Sequence, residues 1–597
     1  MEESGVFLGL TALREFWNTR EPILFLGSWC LPPGRGAPEP PHQVMPSPWD
    51  NRQRYYDAAR YLDEYVERLL GDLTDYLNAA HEVKHSRRYW RILLGPWLIH
   101  VAHVVYDRYV HLVQALNRTG EEPRTILLDQ RSFRTPRDTL EFIDLICGDP
   151  YNHQIFSEIL TALGLRFPTR ELEAWPSRSF VPAVRQRRRD DAYGRILRVG
   201  HRVLGSVRRS GRPCSGVALF DLDGTNRQTY RLAWATRLLA VPWRAAPRWT
   251  FSLGDLRVEK QRRELALLPS ANEFERILIG LLPRHLPTLY LEHYHAARSD
   301  TLRRVSTLPH VLVSANGWLG HEPFKFLAAE AAARGRRLVA AQHGGGYGVC
   351  RAIPLETHEA RVADTFLVWG WADPGTPGLA NVPSIKLSAA RHPHLSRLRP
   401  AILFVANAYP RYLYRFQSTP MGSHLEEYFE WQGRFLAALS EERRSSVLFR
   451  GHAADFGNDV RGRVALGFPD VGHDDGTPFR RRLRHCRMVV IDNLSTTLLE
   501  ALVANVPTIL FWDPSRWEVR DEAEDAFGGL RTAGILWDSP EAAAGTLETV
   551  YGDPRAWWRR GDVQAARRKL VERYALAQRN WAASWSGVLD EQAALAG

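Results

Sequence analysis

Lysine is nearly missing from this basic chain. Among 78 Lys and Arg residues in 597, only Lys84, Lys260, Lys325, Lys386 and Lys569 are lysine. The net charge of +11 is therefore carried by arginine. Arginine forks match phosphates and carboxylates, so nucleic acid, anionic lipid and anionic sugar all stay open as partners. GC-rich coding produces the same bias. Cysteine is also scarce: Cys30, Cys147, Cys214, Cys350 and Cys486 are scattered and never form a C-x-x-C pair. That argues against a zinc site and against a secreted disulfide framework. Long apolar runs are absent. The longest, Ile92 to Tyr106, contains His100 and His103 and is too short to span a bilayer. Acidic residues follow Met1 where a signal peptide would carry basic and then apolar ones, so a cytoplasmic protein is expected. No G-x-G-x-x-G follows a first strand and no G-x-x-x-x-G-K-[ST] occurs, which disfavours classical dinucleotide binding and P-loop chemistry. There is no internal repeat and no low-complexity tract.

What is present is a rhythm of strands and helices. Pro22 to Cys30 reads as a buried strand and Pro32 to Pro48 as a Pro/Gly-rich loop. Helical spacing runs from Arg54 to Leu77 and from Trp90 to Tyr109, where Gly95-Pro96 predicts a kink or break. Arg124 to Asp129 reads as a strand, Thr139 to Ile146 and Gln154 to Leu163 as helices, and the basic run Arg185 to Asp190 as an exposed linker. Strands then alternate with helices: Gly216–Asp221, His310–Ser314, the helix Pro323–Arg334, Arg337–Ala341 and Asp364–Trp369. A Pro/Gly/Ala-rich loop, Asp373 to Pro400, precedes a second series with strands at Ala401–Val405 and Ser446–Phe449, and a helix at Leu425–Leu439 between them. A strand–turn–helix–strand unit, Arg487 to Trp512, follows, and Pro554 to Leu595 is a helical tail. The expected fold is α/β, with two doubly wound Rossmann-type domains facing a cleft. The expected divisions are residues 1–390, with a helical insertion at about 50–205, then 391–553 and 554–597.

Four strand ends carry candidate chemistry. In the second series Asn493, Ser495, Thr496 and Thr497 open a helix, where hydroxyls and free N–H groups suit a phosphate, and Glu500 one turn later can reach a ribose. Ser495 is equally a plain N-cap. Arg450 and His452 follow another strand at alternating spacing and can reach the same phosphate; otherwise Arg450 forms a salt bridge and His452 caps a loop. In the first series Gln342-His343-Gly344-Gly345-Gly346-Tyr347-Gly348 ends a strand, and His343 there can take a proton from an acceptor hydroxyl. Asn316, His321, Glu322 and Lys325 lie at the preceding strand end, as candidates for acceptor or donor contact or, for Glu322, helix capping. His358 and Glu359 resemble the start of a zinc motif, but the second histidine is missing, so they are read as substrate-positioning or structural. Asp221-Leu222-Asp223 has the letters of a D-x-D metal site without a convincing setting, and no metal or cofactor is expected.

Pro22–Gly27, Tyr89–Trp97, Gln342–Gly348, Trp369-Gly370-Trp371 and Ser495–Glu500 resemble a family of transferases encoded in bacterial surface-polysaccharide clusters for O-antigen and capsule. More distantly the chain is similar to CDP-glycerol glycerophosphotransferases and to capsule Kdo and polysialic acid transferases, which have a GT-B type fold. That resemblance implies a GT-B-like arrangement with a catalytic base at His343. It implies phosphate ligands at Arg450 and His452, where Ala453 replaces the motif's proline, and at Ser495 and Thr496. A ribose contact falls on Glu500, and Asn505-Val506 replaces the usual glycine before the next proline. The implied donor is a nucleotide-activated sugar or polyol phosphate, CMP- or CDP-linked before UDP- or GDP-linked. The implied acceptor is a glycan or lipid-linked sugar at the inner face of the cell membrane. Two other functions compete: a nucleic-acid-binding protein, for which the dispersed charge supplies no reading motif, and a sugar-nucleotide epimerase or hydrolase.

Overall fold

The computed structural model describes residues 6–31, 40–119, 123–176, 216–242, 251, 258–304, 308–390 and 401–596. The basic run 185–190, Cys214 and the end of the expected linker, 391–400, lie outside them. Strands β1 (Phe7–Gly9), β2 (Ile23–Phe25) and β3 (His42–Val44) form a small parallel sheet, and β4 (Leu127–Leu128) pairs with β5 (Thr169–Arg170). A six-stranded parallel sheet follows from β6 (Val217–Phe220), β7 (Ala240–Pro242), β8 (Val311–Ser314), β9 (Arg337–Ala341), β10 (Thr365–Val368) and β11 (Leu379–Asn381), in the order β11-β10-β9-β8-β6-β7. The second six-stranded parallel sheet has β12 (Ile402–Val405), β13 (Val447–Arg450), β14 (Gly472–His473), β15 (Met488–Ile491), β16 (Thr508–Phe511) and β17 (Leu536–Trp537). Its order is β14-β13-β12-β15-β16-β17.

Central strands such as Ile402–Val405 and Met488–Ile491 are buried along their whole length, as expected of parallel strands covered on both faces. Trp581, Trp585 and Leu589 of the C-terminal helix pack on β6 and β8, so the helical tail returns to the first large sheet. The result is α/β, GT-B-like, with two doubly wound sheets. In each, strand order reverses once: between β6 and β8, and between β12 and β15. The carboxyl ends at such switch points are where open sheets bind ligands.

Several local expectations change. The helix Arg87–Thr119 runs unbroken through Gly95-Pro96. Residues Ile92 to Val105 are all buried there, and that packing outweighs the roughly 3 kcal/mol a proline costs a helix interior. Gly95 has its own reason: an added β-carbon would lie 2.3 Å from His358 Cε1. The expected loop 32–48 contains β3, and the expected linker contains β11 and the short helix Ile385–Ser388.

The loop after β12 crosses to the first half. Tyr412, Leu413, Phe416 and Met421 join the core built by the helices Arg52–Ala80 and Arg87–Thr119. Buried Arg108 donates to Leu413 O at 2.6 Å, and Phe416 N donates to His103 Nδ1 at 2.9 Å. Cys350 and Val519 form an antiparallel bridge beside it. The carboxyl ends of the two sheets are thus held together.

Candidate active site

His343 leaves β9 at its carboxyl end. Gln342, buried beside it, fixes the turn: its amide oxygen accepts from Trp369 N and Trp371 Nε1, both at 2.9 Å, and its Nε2 donates to Gly344 O at 2.8 Å. His343 Nε2 lies 3.0 Å from Glu359 Oε1 and 3.0 Å from the Tyr347 hydroxyl, which itself donates to Glu359 Oε1. A carboxylate orients the ring so that Nε2 carries the proton and Nδ1 keeps its lone pair. Nδ1 has no hydrogen-bond partner among the described residues, and 24% of the side chain is exposed. Burial alone would lower the imidazole's proton affinity, but the Glu359 carboxylate, through charge and hydrogen bond, and then Asp223 hold it above the ordinary value. Arg415 acts in the opposite direction. Glu359 itself is buried on the helix Pro354–Val362.

The glycine turn meets the second sheet. Gly345 N donates to Thr496 Oγ1 at 3.1 Å. A β-carbon on Gly345 would come within 2.8 Å of Thr496 N and 3.0 Å of Ser495 O, so only glycine allows this approach. The helix Thr496–Val503 starts here after Ser495 in extended conformation. Ser495 does not cap it; its hydroxyl bonds Thr497 Oγ1 at 2.6 Å instead. The helix start therefore presents N–H groups that no side-chain cap occupies.

Other residues predicted for this lobe are already engaged. Arg450 ion-pairs with buried Asp474 and donates to Thr477 O at 2.7 Å. His452 is exposed and makes a local loop bond with Ala454 N at 3.1 Å. Asn493 is buried and donates to Val405 O at 3.2 Å, stitching β15 to β12. Neighbouring Asp492 is raised to about 7 by burial, against the hydrogen bonds from Asn493, Tyr428 and Gln432. Glu500 is buried between Lys386 Nζ at 3.5 Å and Arg480 Nε at 3.3 Å.

On the first lobe the predicted cleft set divides. Asn316 sits at the β6/β8 switch point and donates to Asp221 O. His321, rather than Glu322, caps the next helix, accepting from Phe324 N at 3.1 Å. Glu322 and Lys325 are corrected from cleft residues to buried supports. Lys325 Nζ bonds Leu93 O, Thr139 Oγ1 and Tyr290 OH at 2.7–3.0 Å and pairs with Glu322 at 3.0 Å. His358 is buried against Gly95, and burial lowers it to about 3, so it stays neutral. Four residues not predicted as site residues sit nearby: Asp223, Lys386, Arg480 and Arg415. Lys386 links Asp223 at 4.0 Å to Glu500, bridging the two sheets. Its rarity in an arginine-rich chain was the available signal. Among the described residues no group of three or more His, Cys, Asp or Glu side chains could hold a metal ion, and no helix is long and apolar enough to cross a membrane.

A family profile described as LIC12162 family transferase matches residues 6–589, nearly the whole chain. The chain belongs to the LIC12162 transferase family. As a LIC12162 family transferase it has no significant match among curated proteins. Among solved structures it is similar to an alpha-glucosyltransferase in complex with UDP and a mismatched 13-mer DNA, at 11% identity and TM-score 0.32, over 63% of this chain and 98% of that one. It is also similar to WaaG, a glycosyltransferase involved in lipopolysaccharide biosynthesis, at 12% identity and TM-score 0.25, over 50% and 95%. The fold assignment rests on the strand orders above.

Proposed function

We propose that this transferase is a GT-B-type glycosyltransferase, or a polyol-phosphate transferase, of surface-polysaccharide synthesis. One contact carries the reading: Gly345 N to Thr496 Oγ1, 3.1 Å, which sets the His343 turn directly on the Ser495–Thr497 helix start. A proton acceptor and an anion-binding helix end thus share one crevice. His343 Nδ1 takes the proton of the acceptor hydroxyl. The freed oxygen bonds the transferred sugar carbon, or phosphorus, while the bond from that atom to the nucleotide phosphate breaks. The leaving phosphate gathers charge facing the N–H groups of Ser495–Thr497, which stabilise it as it develops. Glu359 and Tyr347 hold the imidazole in its working tautomer. Glu500, with Lys386 and Arg480, lies one turn along the same helix, where a donor ribose would fit. Arg450 and His452 supply a more distant phosphate contact only if Arg450 shares its Asp474 partner. The donor favoured is CMP- or CDP-linked, and the acceptor is a glycan or lipid-linked sugar at the inner membrane face.

The test is a melting-temperature screen against free nucleotides, because a ligand that binds the folded state alone raises apparent stability by mass action. A cytidine nucleotide is expected to give the largest rise, and Ser495→Ala with Thr496→Ala to remove it. No shift with any nucleotide overturns the reading.

A further inference from the structure

A cavity of about 290 Å³ lies at the seam of the two halves. Its floor is buried: Val66 on the helix Arg52–Ala80, and Ile99 and His103 on the helix Arg87–Thr119. Its mouth carries Arg60 and Arg351, both exposed, with Arg520 from the second half. Backbone bonds fix that mouth. Arg351 N donates to Glu518 O at 3.0 Å and Arg520 N to Val349 O at 2.8 Å, on either side of the Cys350–Val519 bridge. The crossing loop ties two lining residues together, since Ser418 Oγ accepts from Ala352 N at 2.9 Å and bonds the Tyr56 hydroxyl at 3.0 Å. Thr357 also lines the cavity, on the helix that carries Glu359. Two residues along a helix point about 200° apart. The cavity and His343 therefore lie on opposite faces of that helix.

The polar groups left free on the wall are nearly all donors. Arg351 has no carboxylate partner and no side-chain hydrogen bond among the described residues; its guanidinium lies 4.4 Å from the Tyr56 ring centre. Arg520 spends Nε on Cys350 O at 2.9 Å and one terminal nitrogen on Glu356 Oε1 at 2.6 Å, and keeps the other. His103 is 2% exposed, and its Nδ1 accepts from Phe416 N. Burial keeps this ring neutral, lowered to about 3, so Nε2 carries the proton. That N–H has no partner among the described residues. The one carboxylate on the wall, Asp63, is already held by both terminal nitrogens of Arg361 at 2.8 Å. Guanidinium forks match a phosphate or a carboxylate. The floor asks for a body with an apolar face and an oxygen for His103, which a sugar ring supplies. The volume sits at the low end of the roughly 300–1,000 Å³ of small-molecule sites.

We propose that this cavity binds a small sugar phosphate or sugar acid, its anionic group on Arg351 and Arg520 and its ring on the floor beside His103. The proposal does not depend on the role given to His343. It has one link to that site. Glu356 accepts from Arg520 through Oε1 and from Gly348 N, at 2.8 Å, through Oε2. An anion that competes for Arg520 therefore acts on the carboxylate that holds the glycine turn.

The experiment is calorimetric titration of the full chain with glucose 6-phosphate, glucuronate, inorganic phosphate and glucose. The two sugar anions are expected to bind, inorganic phosphate more weakly and glucose not at all; which sugar anion binds tighter separates phosphate from carboxylate. Arg351→Gln is expected to weaken binding by about tenfold, the scale of a lost charge-assisted pair. Arg351→Lys is expected to keep part of it. Ala59→Phe, which fills the cavity without removing a charge, is expected to abolish it; a melting curve on each variant checks that it is folded. Saturating CDP is expected to leave the affinity unchanged. Equal binding of glucose or of inorganic phosphate, full affinity in folded Arg351→Gln or Ala59→Phe, or displacement by CDP overturns the proposal.

Discussion

Two buried glutamates, each with a basic partner, follow consecutive strands of the first large sheet, and they do opposite things. Glu322 opens the helix after β8 and pairs with Lys325, which is fully buried and bonded to three separate elements. Glu359 lies on the helix after β9 and pairs with His343, whose ring stays 24% exposed and keeps one nitrogen unbonded. The first pair has spent every donor on the fold. The second has spent one ring nitrogen on orientation and kept the other. What separates a support from the proposed working site here is the unbonded ring nitrogen, not the residue types, which are nearly the same.

The sharpest way to break this comparison is to exchange the consequences. His343→Ala is expected to lower transfer by about 10²–10⁴-fold, the usual worth of a positioned base, with nucleotide affinity unchanged. Near wild-type turnover would end the assignment. Lys325→Met should do the reverse. It leaves Glu322 buried without its cation, costing on the order of 3–5 kcal/mol of stability, while protein that remains folded keeps its turnover. A melting curve and a specific-activity measurement on the same sample decide it. A Lys325 variant that melts normally but is inactive would mean that the buried pair belongs to the chemistry.

Glu359→Gln sharpens the second pair alone. Glu359 holds the His343 imidazole above its ordinary proton affinity. The base works only when neutral, so activity rises as pH climbs through that raised value. Removing the carboxylate lowers the value, and the acid limb of the pH–rate profile must move to lower pH. The maximal rate should fall by roughly 10² as the orienting bond is lost. A limb that moves upward, or not at all, would remove Glu359 from the site.

Sequence reading served the two sheets well and the site unevenly, for physical reasons. Parallel strands buried on both faces are short apolar runs, so Arg337–Ala341, Thr365–Val368 and Met488–Ile491 were legible. The glycine turn at Gly344–Gly346 was legible because close backbone approach leaves glycine as its trace. Whether a strand-end charge faces the crevice or a packed helix was not legible. That depends on elements hundreds of residues away: Lys325 is spent on Leu93 and Thr139, and Arg450 on Asp474. Pro96 misled because a helix break is a local rule and the burial that overrides it is not local.

The smallest expected effect tests the helix start itself. A serine at an N-cap normally costs about 1 kcal/mol of stability when changed to alanine, because its oxygen satisfies a backbone N–H. Ser495 occupies the N-cap position without making that bond, and gives its hydroxyl to Thr497 instead. Ser495→Ala should therefore change stability by less than about 0.5 kcal/mol, the range of a substitution that removes no cap. It should still weaken nucleotide binding measurably, since the hydroxyl then has a ligand to serve. A full capping penalty with unchanged nucleotide affinity would make Ser495 an ordinary helix cap. The proposed phosphate site opposite His343 would then fall.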